Sequence, residues 1–362
     1  MTTLFVATTG GHLTQLDSLA SRIPPNGDAL WVTHANEQSR SMLADRDVEF
    51  VPYVGVRNVP DVLRCIPYAR RLLERRKLTR AVSTGSGIAL GYLPYLAARG
   101  VECHYIESAT RVTGPSVTGR VLQWVPGVRT YTQYQSWADQ RWSYAGSVFD
   151  GYEATPVTRV PDAVLRVVVT VGAATQYPFR RLFEHLAPLL AAEGALAQAT
   201  GLPVEVLWQT GDTPVDDLPI RATPVLPAAE LGAAQGNADI VISHAGTGSA
   251  LAALNAGRYP ILATRDSARG EQVDDHQHQL ATELARRGLA MHRDAQAITI
   301  NDIIETLGIR CDAPRRPHRS RCATSACPRA SARPPCEPSP ECGPGLRPAA
   351  SVVAVLDRGG PG

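Results

Sequence analysis

The sequence predicts an α/β protein: two parallel-sheet domains with helices on both faces, facing each other across a cleft, and then a disordered C-terminal tail. Three observations predict it. Short β-branched apolar runs of strand length alternate with helix-length segments over residues 1–145, and again over residues 165–308. Alternation on that scale means βαβ units, a parallel sheet and helices packed on its faces. Between them the pattern lapses at residues 146–164, where Gly146, Gly151, Pro156 and Pro161 interrupt any period, as in an interdomain connection. From about Arg310 the composition turns to Arg, Pro, Ser, Ala, Gly and Cys with no period, so residues 309–362 are expected to be a low-complexity tail. A disordered basic tail and a segment translated out of frame would both look this way.

In the first domain, residues 4–8 (LFVAT) read as a buried strand, Thr9-Gly10-Gly11-His12 as a turn and residues 13–21 as a helix. Strands follow at 29–33 and 48–51, with a helix at 37–45 between them. Residues 60–77 form a long helix carrying Arg64, Arg70, Arg71, Arg75, Arg76 and Lys77 beside Val62, Leu63, Ile66, Leu72 and Leu73. A strand at 80–83 runs into Thr84-Gly85-Ser86-Gly87 and a helix to about residue 98. The strand at 102–106 ends on Glu107-Ser108, before a helix at 116–124 and a strand at 129–132. In such sheets ligands gather at the carboxyl ends of the strands, where the Gly-Gly-His, Gly-Ser-Gly and Glu107 groups fall.

In the second domain, a strand at 166–171 precedes Gly172-Ala173-Ala174-Thr175 and a helix at 178–192. A strand at 204–209 and a short helix at 228–235 come next. Residues 239–242 (DIVI) read as a buried strand, followed by the small polar turn Ser243-His244-Ala245-Gly246-Thr247-Gly248-Ser249 and a helix at 250–256 closed by Gly257. Strand, glycine-rich turn and helix point backbone N–H groups and a helix N-terminus at an anion, although an ordinary βα turn has the same composition. A strand at 260–263, a loop to Glu271, a helix at 275–287, a strand at 289–292 and a short helix at 301–307 complete the domain.

Composition excludes several classes of function. The chain has 362 residues, 44% of them hydrophobic, and a net charge of +2, which gives no whole-protein case for nucleic acid. No apolar run reaches the length of a bilayer span, and the first residues show neither a charged n-region nor a cleavage signal. A cytoplasmic location is expected, with peripheral attachment to the inner face of a membrane left open. Of seven cysteines, only Cys65 and Cys103 lie in the body, and the tail spacings match no usual zinc pattern. Neither a disulfide framework nor a metal site is expected.

Several residues could carry chemistry. His12, after two glycines at a strand end, suits a general base near working pH, or a turn histidine bonded to backbone. Glu271, Asp274, Asp275, His276 and Gln277 open a helix with groups that suit sugar hydroxyls, or that simply cap it. The helix at 60–77 presents either a solvated charged face or a face for an anionic membrane. No P-loop occurs, and no GxGxxG follows the first strand.

Taken together, these residues resemble the family 28 glycosyltransferases of the GT-B fold, in which two Rossmann-like domains face a cleft. The likeness is to the two-part enzymes in which a membrane-docked acceptor half works with a nucleotide-sugar half, including bacterial exopolysaccharide relatives; here the halves look fused. The acceptor half rests on Thr9-Gly10-Gly11-His12, on residues 105–112 (YIESATRV) and on residues 116–120 (SVTGR). The donor half rests on residues 169–172 (VTVG), on residues 238–249 (ADIVISHAGTGS) and on Asp275-His276-Gln277 with Leu280-Ala281. The likeness spans about residues 1–305.

The resemblance implies a nucleotide-sugar donor, most often UDP-linked, with Ser243, His244, Ala245, Gly246, Thr247, Gly248 and Ser249 cradling its diphosphate. Gly172 and Thr175 would lie beside the phosphate or the acceptor, and Asp275, His276 and Gln277 would meet the donor sugar. Gly10, Gly11, Gly85, Ser86 and Arg111 would face the acceptor. His12 is the first choice for the base and Glu107 the second, in a single inverting displacement with no cofactor and no metal. Relatives commonly carry a glutamate for the ribose where Ala252 stands, and end with a helix that crosses back to the first domain. The activity expected is hexosyl transfer from a UDP-sugar to a lipid-linked or other glycosyl acceptor. Alternatives are transfer to a soluble natural product, epimerisation of a nucleotide-sugar by the acidic residues around His276, and sugar-nucleotide binding without catalysis.

Overall fold

The computed structural model describes residues 1–23, 25, 27–55, 58–158, 163–172, 177–272 and 275–313. Thr175, Asp274 and the tail beyond residue 313 lie outside the described residues. The first domain runs β1 (Thr2–Ala7), α1 (Gly11–Ala20), β2 (Asp28–Thr33), α2 (Glu37–Met42), β3 (Asp47–Phe50), α3 (Val59–Arg75), β4 (Leu78–Gly85), α4 (Gly87–Ala97), β5 (Glu102–Ile106), α5 (Val117–Leu122), β6 (Val128–Thr132) and β7 (Trp142–Tyr144). The connection carries β8 (Glu153–Pro156). The second domain runs β9 (Leu165–Thr170), α6 (Arg180–Leu189), α7 (Ala195–Thr200), β10 (Val204–Gln209), β11 (Ala222–Thr223), α8 (Ala228–Asn237), β12 (Ile240–His244), α9 (Thr247–Asn255), β13 (Ile261–Thr264), α10 (His276–Arg286), β14 (Met291–Asp294), α11 (Ile300–Leu307) and β15 (Ile309–Asp312).

Among the described residues the first sheet has the order β3-β2-β1-β4-β5-β6-β7 and the second β11-β10-β9-β12-β13-β14, and the strand pairs in both are parallel. Both orders reverse direction once, between β1 and β4 and between β9 and β12. At such a switch point the flanking βα turns diverge to opposite faces and leave a crevice beyond the strand ends. The central strands are apolar on both faces, as a doubly covered sheet requires: all of β1 is buried, and β12 is buried except at His244.

The two domains share a core. Leu13, Leu16 and Leu19 of α1 recur at helical spacing and join Ala250, Leu251 and Leu254 of α9 and Leu280, Ala281 and Leu284 of α10 in one buried apolar cluster. Burying a leucine side chain contributes about 1.5–3 kcal/mol, so this seam holds the cleft as part of the fold. The α1 and α9 N-termini meet closely, and a Cβ on Gly11 would stand 3.5 Å from the Gly248 nitrogen. Elsewhere Tyr152 donates to Asn255 Oδ1 at 2.6 Å and Arg287 pairs with Asp150 at 3.1 Å.

Two boundaries differ from the sequence reading. The connection is not irregular throughout, because β8 pairs antiparallel with β15, which lies in the stretch expected to be tail. Cys311 of β15 is 1% exposed against the shared core, and that burial holds the chain in place through Asp312. Helix α9 begins at Thr247 and not at residue 250, so Thr247, Gly248 and Ser249 form its first turn. Among the described residues no helix is long and apolar enough to cross a membrane.

Candidate active site

The strand ends bring most of the sequence-identified residues to the two switch points. Gly10, Gly11 and His12 follow β1, and Gly85 and Ser86 lie at the end of neighbouring β4. Gly10 is the N-cap of α1 and offers no side chain to its first turn; its own N–H donates to Gln38 Oε1 at 2.7 Å. Ser86 heads α4 and donates its N–H to Thr8 Oγ1 at 3.2 Å.

His12 has a defined tautomer. Its Nδ1 lies 2.7 Å from the Thr84 carbonyl, which can only accept, so Nδ1 carries the proton and Nε2 is the basic nitrogen. Thr84 returns a hydrogen bond from Oγ1 to the His12 carbonyl at 2.7 Å. Gly85 lies under the ring, where a Cβ would come within 3.2 Å of it. Burial lowers the His12 pKa; the Thr84 carbonyl opposes this, and the charges of Arg111 and His276 lower it further. The residue is therefore neutral at working pH, as a general base must be before it accepts a proton.

Glu107 does not share that position. It is fully buried, and both oxygens are engaged within the first domain: Oε1 accepts from Tyr105 Oη at 3.1 Å and the Ser108 N–H at 3.0 Å, and Oε2 from the Ser116 N–H at 2.9 Å and Ser116 Oγ at 3.0 Å. Burial raises its pKa against those bonds. A carboxylate so occupied holds the loop from β5 to α5 in shape. Arg111 lies on that loop, half-buried, and its carbonyl accepts from Trp137 Nε1 at 3.1 Å. Thr113 on the same loop donates to Gln279 Oε1 of α10 at 3.2 Å, so the loop touches the second domain.

On the other side, His244 ends β12 with its ring between Gly172 and Gly246. A Cβ on Gly172, whose φ is +73°, would stand 2.7 Å from His244 Cε1, and one on Gly246 would collide with Nε2. Ser249 Oγ is 3.2 Å from His244 Nδ1. Burial lowers the His244 pKa to about 3, with the charge of Arg265 adding to it, so this histidine stays neutral. Ser243 is buried in the strand and Ala245 donates its N–H to Ala263.

Gly246 is the N-cap of α9 and supplies no side-chain acceptor to the Thr247-Gly248-Ser249 turn. Uncapped first-turn N–H groups and the positive end of the helix dipole make an anion site. Thr247 Oγ1 is buried without a hydrogen-bond partner beside them. At the head of α10, Gln277 Oε1 is likewise buried and unpartnered, while His276 accepts from Gln272 Nε2 at 2.6 Å. Asp275 holds the N-cap position without capping and accepts instead from Ser267 Oγ at 2.5 Å. Among the described residues no group of three His, Cys, Asp or Glu side chains is placed to hold a metal ion.

Residues 166–310 match the family described as the glycosyltransferase family 28 C-terminal domain. That match covers the second domain. MurG of Acinetobacter baumannii superposes on the chain with a TM-score of 0.52 at 18% identity, over 84% of this chain and 89% of that one. SnogD, a glycosyltransferase from Streptomyces nogalater, gives 0.55 at 16% identity over 85% and 91%. The kitacinnamycin glycotransferase gives 0.53 at 14% identity over 84% and 89%. Those likenesses show the GT-B fold across both domains. A comparison with curated proteins found no match. With a family 28 C-terminal-domain match over its second domain and the GT-B fold across both, the chain is a glycosyltransferase.

Several residues that shape the glycosyltransferase cleft escaped sequence reasoning. Gln15 of α1 is buried, accepts from the Ala109 N–H at 2.8 Å and donates to Ser108 Oγ at 3.1 Å, tying the loop after β5 to the His12 helix. Gln133 donates to the Glu107 carbonyl at 3.0 Å from the far side. In the second domain, Arg181 binds Glu271 at 2.9 Å and Asp294 at 2.8 Å and donates to the Thr264 carbonyl at 2.8 Å. Glu271 also accepts from the Asp266 N–H at 2.9 Å. It is thus a buried brace for the loop before α10, which removes it from the acid–base groups an epimerase would need. Arg265 follows β13, is 6% exposed and donates from Nη2 to the Val171 carbonyl at 3.2 Å. An arginine among apolar strand ends carries no sequence signal that separates it from a surface arginine.

Proposed function

We propose that this glycosyltransferase is an inverting hexosyltransferase. It moves a sugar from a UDP-sugar of the UDP-GlcNAc kind to a lipid-linked glycosyl acceptor in polysaccharide or glycoconjugate synthesis. The observation that carries the reading is the approach of the two switch points. Gly11 and Gly248 are in near contact, so a neutral histidine on one side lies beside an uncapped helix N-terminus on the other. An acceptor hydroxyl oxygen attacks the anomeric carbon, and its proton passes to His12 Nε2. The bond from that carbon to the diphosphate oxygen breaks, and the electron pair leaves with the diphosphate. The α9 N–H groups and helix dipole stabilise the charge that develops there. His276 and Gln277 are the groups for the sugar hydroxyls, and Arg111 with the turns at Gly10 and Ser86 faces the acceptor.

A face of the first domain favours a lipid-linked acceptor over a soluble one. Val117, Val121 and Trp124 are 58%, 49% and 65% exposed at one-turn spacing along and just past α5. Val59 and Leu63 are 64% and 57% exposed on α3. Both helices pack on α4; Arg64, Arg70, Arg71 and Arg75 of α3 and Arg120 of α5 are exposed, and the Arg141 guanidinium lies over the Trp124 ring. Exposed apolar side chains on helices that also carry exposed cations suit an anionic bilayer surface. The loop braced by Glu107 leads from the cleft directly into α5, so a membrane-held acceptor would reach His12 along it. On this reading the protein works from the cytoplasm at the inner face of a membrane.

A thermal-shift screen of nucleotide-sugars tests the donor. UDP-sugars should stabilise the protein; stabilisation by another nucleotide class and none by UDP-sugars would contradict the donor assignment. Co-sedimentation with anionic vesicles tests the surface: V121D/W124E should release a protein that the wild type leaves in the pellet, and equal pelleting of both would remove the membrane from the proposal.

A further inference from the structure

We propose that Arg265 is a substrate-contacting residue whose guanidinium neutralises the leaving diphosphate. The proposal rests on the reading that the second domain binds a nucleoside diphosphate-sugar, and it names a group that the helix-dipole description does not use. Three features carry it. Arg265 follows β13, next to the β9/β12 switch point, and its Nη2 bonds the Val171 carbonyl that leads into Gly172. Gly172 in turn lies against the His244 ring, where a Cβ would stand 2.7 Å from Cε1, and the charge of Arg265 acts on that histidine, which leads into the turn that starts α9. Its Nε is buried and has no hydrogen-bond partner.

A buried guanidinium is costly unless a carboxylate or phosphate answers it. Glu271 is the carboxylate that acts on Arg265, but its oxygens already serve Arg181 and the Asp266 N–H. Among the described residues Arg265 forms no ion pair; the Phe179 ring centre lies 5.4 Å from its Cζ. Thr247 Oγ1, buried and also unpartnered, belongs to the α9 turn close by. Each of these two unsatisfied donors, one just after β13 and one in the uncapped first turn of α9, would be answered by an oxyanion. The guanidinium fork fits the two non-bridging oxygens of a terminal phosphoryl group. In the reaction that group is the distal phosphate, which gains the electron pair when the glycosidic bond breaks.

Titration calorimetry of the full chain with UDP and with UMP separates the outcomes. The wild type should prefer UDP. R265Q should lose about 10-fold or more of that preference while UMP binding is unchanged, because only the distal phosphate has lost its partner. The ligand-free R265Q protein should melt no lower than the wild type, since removing a buried unpaired charge relieves a cost. If the wild type does not distinguish UDP from UMP, the diphosphate reading falls and Arg265 with it. If R265Q distinguishes them as well as the wild type does, only the Arg265 assignment falls. Should R265Q not fold, R265K keeps the charge without the fork and should lose about threefold or more of the preference; full preference in R265K would overturn the proposal.

Discussion

The sequence offers His12 as the first choice for the base and Glu107 as the second, each a titratable group at a strand end, and their surroundings separate them further. The histidine gives one nitrogen to Thr84 and keeps the other, while the carboxylate has both oxygens bonded. The His12 pKa lies below its ordinary 6.5, so the neutral, active form persists until the pH falls through that lowered value. The acid limb of kcat/KM should therefore have its midpoint below pH 6.5; a midpoint above it would mean that another group titrates. E107Q should leave that limb in place and show itself in stability instead. Its amide would turn an NH2 toward hydrogen-bond donors already aimed at an acceptor, at a cost of about 1–3 kcal/mol in denaturant unfolding. Loss of the acid limb in E107Q would return Glu107 to the chemistry. The sequence could not make this distinction, because the partners Tyr105, Ser108 and Ser116 become partners only when the loop closes on itself.

At the scale of elements, most strands and helices were legible because each apolar run has one length and one period. The β12–α9 unit is the instructive case. Strand and helix were both expected, but small residues at 247–249 hid the first helical turn, since Thr, Gly and Ser lower helix propensity where the N-terminus needs open N–H groups. The pieces that escaped, β7, β8, β11 and α7, are short and draw their stability from neighbours: β8 and β15 exist as a pair, and Cys311 is what buries it. The loop from β13 to α10 is held by the Arg181–Glu271 pair, whose side chains are 9% and 10% exposed. R181A would leave a carboxylate buried without its cation and should cost about 3–5 kcal/mol in denaturant unfolding. A loss under about 1 kcal/mol would show the pair to be solvated, as surface pairs are.

At the scale of the whole molecule, the cleft was legible as two sets of turns but not as one site. Sequence order gives which residues end strands; the strand orders then put the Gly10–His12 and Gly85–Ser86 turns at one reversal and the Gly172 and His244–Ser249 turns at the other. The shared core of α1, α9 and α10 presses the two reversals together. On the proposed reading donor binding and proton transfer are divided between domains, so a change on one side should spare the other. The direct test is H12A, measured for UDP-sugar affinity by calorimetry and for sugar transfer to a lipid-linked glycosyl acceptor in the same preparation. Affinity should stay at the wild-type value while transfer falls by about 10²–10⁴-fold. Transfer at the wild-type rate, or a parallel loss of donor binding, would contradict a division of labour with His12 as the base.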